Sequence, residues 1–215
     1  GQGSDSLTAY VMAIAHEVFD KFHAAGMTGR ELLWRLEQRF LLDDLECFLL
    51  IDDSRRRVTG TSPVAVELPF GLDGAPPLEL DVGGGRVLKF RGRIDRVDDA
   101  PGGGHVVYDY KTGKGSRYVE LGLDPVRAGK TLQLGLYAEA VEQLLGSTSV
   151  ASYFWMVNRI GSYGLYGRPW AGADRRRFLD RERNPFFRHG EAEYFLAERD
   201  GRLVGRISAQ VDRNL

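Results

Sequence analysis

The sequence predicts an α/β fold, a central mixed sheet flanked by helices, with N-terminal helices leading in and a C-terminal hairpin closing the chain. Three observations predict it. The hydrophobic period is helical up to Asp52-Asp53, becomes strand-like from Pro63, and is helical again from Lys130 to Leu145. Glycine-rich turns separate the strand-like segments. The length, 215 residues with 43% hydrophobic and 27% charged, suits one main domain of a globular protein.

Taken in order, Leu7, Val11, Ile14, Val18 and Phe22 recur at three- and four-residue steps and predict a first helix, with Asp5 or Ser6 as its cap. A second helix is expected from Thr28, where Thr28 and Glu31 have capping-box spacing, through Leu32, Leu36, Leu42, Leu45 and Leu49 to Asp52-Asp53. Pro63 to Phe70, Glu79 to Val82, Arg86 to Val97 and His105 to Tyr110 read as strands of an antiparallel meander, turning at Gly83-Gly84-Gly85 and at Asp98 to Gly104. Leu132, Leu136, Ala140 and Leu144 mark a helix that ends at Gly146, and Val150 to Val157 reads as a buried strand. Beyond Gly161 the pattern offers only a short helix near Asp174 to Asp180 and a hairpin, Ala192 to Glu198 with Leu203 to Val211, turning at Asp200-Gly201.

Composition excludes several classes. No apolar run approaches the roughly 20 residues that cross a bilayer, and Gly-Gln-Gly-Ser at the start reads as a loose end or expression scar, not a secretory signal, so a cytoplasmic protein is expected. Cys47 alone permits no internal disulfide and no cysteine-built metal site, which leaves oxygen and histidine as metal ligands. Twenty-nine basic against thirty acidic residues give no global field for nucleic acid. Locally, Lys111 to Lys130 is basic, and the triplets Arg55-Arg56-Arg57 and Arg175-Arg176-Arg177 read as solvated helix ends.

Chemistry concentrates in Gly92-Arg93-Ile94-Asp95-Arg96-Val97-Asp98 and in Asp109-Tyr110-Lys111. Strand alternation turns Asp95 away from Ile94, towards the face shared by Arg93 and Val97, and puts Asp109 and Lys111 on one face of the next strand. Two neighbouring carboxylates cannot both ionise cheaply unless a hard cation lies between them, and magnesium or manganese is the natural occupant. The competing reading pairs Asp95 with Arg93 or Arg96 and makes Asp109 and Lys111 a surface ion pair. Their joint occurrence with a following helix that carries Gln133 and Tyr137 favours the metal.

On those residues the sequence resembles the PD-(D/E)XK nuclease superfamily, and within it the RecB/AddB-type exonuclease domains of bacterial helicase–nuclease machines. The likeness is close over Gly92 to Asp98, Asp109 to Gly113 and Gln133 to Ala138, and looser from about Leu7 to Asp180. It implies a restriction-endonuclease-like core over residues 1–180. Asp95 then stands for the first motif aspartate, Asp109 and Lys111 for the acid and lysine of the acid-x-Lys motif, and Gln133 and Tyr137 for a Gln and Tyr four residues apart on one helix face. The resemblance also implies a histidine ligand on the first helix, His16 with His23 as the competitor, and a further acid, Glu67.

The activity so implied is hydrolysis of DNA phosphodiesters, on ends or single strands, with Mg2+ (Mn2+ as substitute) held by Asp95, Asp109, His16 and the Tyr110 carbonyl, in a repair or recombination assembly with a helicase partner. The alternative is a catalytically idle nuclease-like module that binds DNA or a helicase. Some family members hold an iron–sulfur cluster through cysteines near the C-terminus, and none is expected here. Residues 181–215 instead resemble the opening strands of acetyltransferase-like (GNAT) proteins but lack their pyrophosphate loop, so acetyl-CoA chemistry is not expected. That tail reads as a foreign or remodelled end, a fusion junction that caps the sheet. Gly129-Lys130-Thr131 is rejected as a P-loop because Asp124 replaces the required glycine. Trp34 and Trp155 read as core.

Overall fold

The computed structural model describes residues 2–81, 87–126, 131–147, 149–179, 195–199 and 202–211. It divides into two compact units, one of residues 1–60, 112–115 and 156–164, the other of residues 61–111, 116–155 and 165–215.

In the first unit, helices α1 (Gln2–Ala24) and α2 (Glu31–Thr59) meet where the Phe19 ring stands edge-on to Trp34 at 5.4 Å. This contact selects the row of Phe19, which is buried, over the expected stripe, whose Leu7, Ile14, Val18 and Phe22 stay 39–48% exposed. The capping box at Thr28 does not form. Gly29 turns with φ +67, Arg30 is extended at the N-cap with no side-chain cap, and the Thr28 hydroxyl lies 3.1 Å from His23 Nδ1. At its far end α2 continues past Asp52-Asp53, because Asp52–Arg56 (3.0 Å) and Asp53–Arg57 (2.5 Å) pair at one-turn spacing. Gly60, left-handed at φ 69, ends it by donating to the Arg56 carbonyl. Segment 156–164 is tied to α2 by Asp44, whose Oδ1 accepts from the Tyr163 hydroxyl (2.7 Å), Arg159 Nε (2.8 Å) and the Arg159 backbone N–H (3.2 Å).

The second unit is built on β3 (Val87–Ala100), a 14-residue strand. β1 (Ser62–Phe70) and β2 (Leu78–Asp81) both pair antiparallel with it, β1 along residues 92–99 and β2 along 87–90. Both therefore point the same way, and the loop between them is a sidestep, not the reversal a four-strand meander requires. Next comes β4 (Gly104–Lys111), antiparallel to β3 with pairs from Arg96–Tyr108 to Ala100–Gly104. Helix α3 (Gln133–Leu145) then leads from β4 to β5 (Val150–Met156), and Gly146, left-handed at φ 65, ends it as expected. Among the described residues the mixed sheet has eight strands, with β5, β4 and β3 in succession and β1 and β2 beside β3.

β6 (Leu165–Trp170), antiparallel to β5, is not expected from the sequence, because Gly167 and Pro169 interrupt the strand pattern. The glycine is a packing requirement: at φ +146, an added Cβ would stand 2.1 Å from the Ser152 carbonyl oxygen. Gly167→Ala is expected to destabilise the fold by about 1–3 kcal/mol, read as a lower urea midpoint. An unchanged midpoint would contradict this packing.

In helix α4 (Gly172–Leu179) Arg175 and Arg176 are exposed as read, and Arg175 also reaches the buried Glu139 of α3 at 2.8 Å. Ile94, Val97 and Val107 of the sheet pack with Leu136, Ala140 and Val141 of α3 in the main core. A smaller cluster of Leu121, Leu134 and Phe154, with Tyr118 against it, lies under a 3-10 turn, Gly115–Gly122, that the pattern also failed to announce. Trp155 is core as expected, whereas Trp34 is only half-buried. Of the terminal hairpin, β7 (Phe195–Arg199) and β8 (Arg202–Val211) pair antiparallel, and β8 joins β3 along Leu88–Arg91. The turns read at Gly83-Gly84-Gly85 and Asp200-Gly201, and the Gly129-Lys130 pair, lie outside the described residues.

Candidate functional site

The site arises where β3 and β4 stop pairing. Their ladder ends at Arg96–Tyr108, and two residues beyond Tyr108 the Tyr110 backbone N–H donates to Asp95 Oδ2 at 2.7 Å. Asp95 and Asp109 share a face here, because Arg96 and Tyr108, each one residue away, occupy the other. On that other face Arg96 forms a two-pronged pair with buried Asp98 (2.6 and 2.7 Å), and its guanidinium lies 5.3 Å from the Tyr108 ring centre. Arg93 binds Asp73 at 2.6 Å and lies 3.8 Å from Glu67. In these contacts Arg93 and Arg96 take Asp73 and Asp98 as their close partners.

Asp109 is 2% exposed, which removes the surface-pair reading. The Lys111 ammonium touches Asp109 Oδ2 and donates to Gln133 Oε1 at 3.2 Å, and it lies 4.8 Å from the centre of the Phe154 ring. Gln133 opens α3, and its Nε2 donates to Asp109 Oδ1 (2.6 Å) and to the Tyr137 hydroxyl (2.9 Å). One carboxamide thus binds an acid, an ammonium and a phenol, and this fixes which way it faces. Tyr137 lies four residues on, one turn along the helix, and is held from below by Phe70, whose ring meets it edge-on at 6.0 Å. Phe70 in turn covers Gly92, where an added Cβ would stand 2.7 Å from the ring. The glycine that opens the Gly-Arg-Ile-Asp segment is therefore part of the support under Tyr137.

Burial pushes the Asp109 carboxyl up to about 7; Lys111 opposes the shift and Asp95 adds to it. Asp95 is raised as well, by burial, against the pull of the Tyr110 N–H and of Lys111. Tyr137 is held protonated, first by burial and then by the Asp109 charge. Asp109 Oδ2 is buried and accepts no well-directed hydrogen bond, although Lys111 lies against it. Two neighbouring carboxylates with raised pKa, one of them with a buried oxygen met by the Lys111 ammonium, form a donor set that suits a hard divalent cation with oxygen ligands. Among the described residues no cluster of three or more His, Cys, Asp or Glu side chains supplies a complete cage.

The structure brings together Asp95, Asp109, Tyr110, Lys111, Gln133 and Tyr137. Glu67 stands opposite Asp95 in the β1–β3 register, midway between the Val66–Arg96 and Leu68–Ile94 pairs. Its backbone is left-handed at φ +50, a strained conformation for a non-glycine in a strand. Its charge also raises Tyr137, though less than burial does. His16 belongs to the first unit, exposed on α1, with its ring edge-on to Phe19 at 6.0 Å. His23 contacts Thr28 and lies 3.8 Å from Glu31. The sequence missed Phe154 and Phe70 as parts of the site; both sit in apolar runs where nothing sets them apart from ordinary core.

Comparison with known proteins finds similar subunits and a matching family model. The chain is 50% identical over 99 residues to a subunit of an ATP-dependent helicase/deoxyribonuclease of Symbiobacterium thermophilum, a stretch that covers 41% of this chain and 8% of the relative. Subunits of the same description from Moorella thermoacetica and Geobacillus thermodenitrificans are 42% and 37% identical over 95 and 115 residues, which cover 40% and 48% of this chain and 8% and 10% of the relatives. The chain therefore matches only about a tenth or less of the length of these relatives. The acetyltransferase resemblance of the tail gains no support from them. A family model described as the PD-(D/E)XK nuclease superfamily matches residues 2–184. With most of its length so matched and the two aspartates and lysine converging at the fork of the sheet, the chain belongs to the PD-(D/E)XK nuclease superfamily.

Proposed function

We propose that the chain is the nuclease domain of a helicase–nuclease system and hydrolyses phosphodiester bonds of DNA, at ends or in single strands, with Mg2+ as the working cation. The observation that carries this reading is the Asp95–Asp109–Lys111 cluster at the fork of β3 and β4, locked by Gln133. Residues 1–180 are the nuclease domain in this reading, and 181–215 a tail added to its sheet. DNA as substrate and a helicase as partner are taken from the relatives' description as subunits of an ATP-dependent helicase/deoxyribonuclease.

Asp95, Asp109 and the Tyr110 carbonyl would hold the cation, with His16 as a further ligand and Glu67 as an additional acid. A magnesium ion bound there supplies charge neutralisation at the phosphate and a more acidic water. Lys111 is oriented by Asp109 and Gln133 so that its ammonium can meet a phosphate oxygen or the attacking water as negative charge develops. Tyr137 and Gln133 hold Asp109 in place and exclude water from behind it. No geometric feature favours the idle-module alternative, since a module that only binds DNA has no need of a buried acid beside the lysine.

The test is cleavage of linear single-stranded DNA by the purified chain with magnesium, manganese or chelator. Cation-dependent cleavage is expected. A chain that binds DNA yet cuts none with either cation would leave the idle module as the reading. In the same assay His16→Ala is expected to raise the magnesium concentration needed for half-maximal rate by about 10–100-fold, and His23→Ala to leave it unchanged. The reverse pattern would transfer the ligand role to His23.

A further inference from the structure

From Lys111 a row of rings runs outward within the second unit. The ammonium lies 4.8 Å from the Phe154 ring centre, Phe154 lies 4.8 Å from Tyr118, and the Arg117 guanidinium lies 4.9 Å over Tyr118. Phe154 pairs across strands with Tyr166, whose ring also meets Tyr118 at 6.2 Å. The 3-10 turn Gly115–Gly122 holds this row in place by burying Leu121 completely and Tyr118 in part. It has a second consequence: Val119 is left 62% exposed, and Leu123, just past the turn, 82% exposed. One exposed aliphatic is ordinary. Two of them on and just past the turn that carries Arg117, an arginine laid on a tyrosine, call for a ligand with both charge and apolar faces.

We propose that this ridge, Arg117 over Tyr118 with the exposed Val119 and Leu123 of the same segment, is the subsite for the unpaired DNA strand next to the cleaved phosphate. The inference rests on the nuclease reading above and adds to it the path of the substrate. Arg117 receives a backbone phosphate, while Val119 and Leu123 lie against the faces of the adjoining bases. Charge fits this occupant. Residues 111–130 hold five basic side chains against two acids, Glu120 and Asp124, in a chain whose net charge is −1. Exposure favours a single strand over a duplex, because only unstacked bases present apolar faces that the exposed Val119 and Leu123 side chains can cover. Such contacts do not depend on sequence, as suits an enzyme that trims whatever end it meets.

The test uses Arg117→Ala and the double variant Val119→Ser/Leu123→Ser. Both replace exposed side chains and leave Tyr118, Leu121 and Phe154 in place. Binding of a fluorescent 12-nucleotide single strand is followed by anisotropy in chelator, where no cleavage is expected. Each variant is expected to bind about tenfold more weakly, and Arg117→Ala to lower the slope of log affinity against log salt by about 0.7. With magnesium, KM on the same oligonucleotide should rise by about tenfold with kcat within about twofold, the signature of a lost binding contact. Unchanged affinity for the single strand in both variants overturns the subsite. An equal loss on a blunt duplex overturns the single-strand assignment. Because the binding arm needs no cleavage, a chain that holds the strand through this ridge but never cuts it would sink the nuclease reading and leave the ridge standing.

Discussion

Asp109→Asn is expected to slow magnesium-dependent DNA cleavage by about 10³-fold or more while leaving the chain folded. Asparagine keeps the shape of the side chain and can still accept from Gln133, so the packing around residue 109 survives. What disappears is the negative charge that holds both the cation and the Lys111 ammonium. Lys111→Ala should cost a similar factor for the complementary reason: the acids remain, but nothing meets the charge that develops on the phosphate. The two losses should not add, because Asp109 and Lys111 act as one unit through Gln133, and the double variant should be about as slow as either single one. Cleavage of a linear single strand, with circular dichroism to confirm folding, is the measurement. Wild-type rates in either single variant would sink the assignment of this cluster as the active site.

These residues were legible because each is positioned by short-range geometry. The two-residue period of a strand places Asp109 and Lys111 on one face, and the helical turn aligns Gln133 with Tyr137. The same period rules out Arg96 as a partner of Asp95, since it lies on the opposite face, where Asp98 takes it. Arg93 was beyond such reasoning. Its partner Asp73 lies twenty residues back, in a loop whose path depends on β1 and β2 lying along one strand. Features set by tertiary contact were lost in the same way. β6 hides behind Gly167 and Pro169, which are acceptable there because the glycine must pass close to the Ser152 carbonyl. The capping box at Thr28 failed because His23, five residues earlier, offered its hydroxyl a different partner. The 3-10 turn has too few residues for a hydrophobic period to register, although Tyr118 and Leu121, three apart, are its buried side.

The arrangement that makes Asp109 useful should also make it costly to the fold without its cation. Burial favours the neutral carboxyl in the folded state, with a pKa of about 7, whereas an ordinary aspartate titrates at 3.8. The sign follows from proton counting. Between those two values the folded chain holds a proton that the unfolded chain has released, so stability from this group is fully present below 3.8 and is lost as pH rises through about 7. The slope should approach about 1.4 kcal/mol per pH unit across that window, and Asp95, raised by burial too, acts in the same direction. In chelator, thermal melts of the wild type should therefore fall from pH 5 to pH 7, while Asp109→Asn, with no charge to bury, should melt higher at pH 7 and show a flatter profile. Magnesium should reverse the ranking at pH 7 by stabilising only the chain that retains both carboxylates. Parallel pH profiles for the two proteins in chelator would show that Asp109 is not held neutral by its burial. A variant that gains stability as it loses cleavage, and loses its response to magnesium with both, would tie the cost of burying the Asp109 charge to the chemistry performed there.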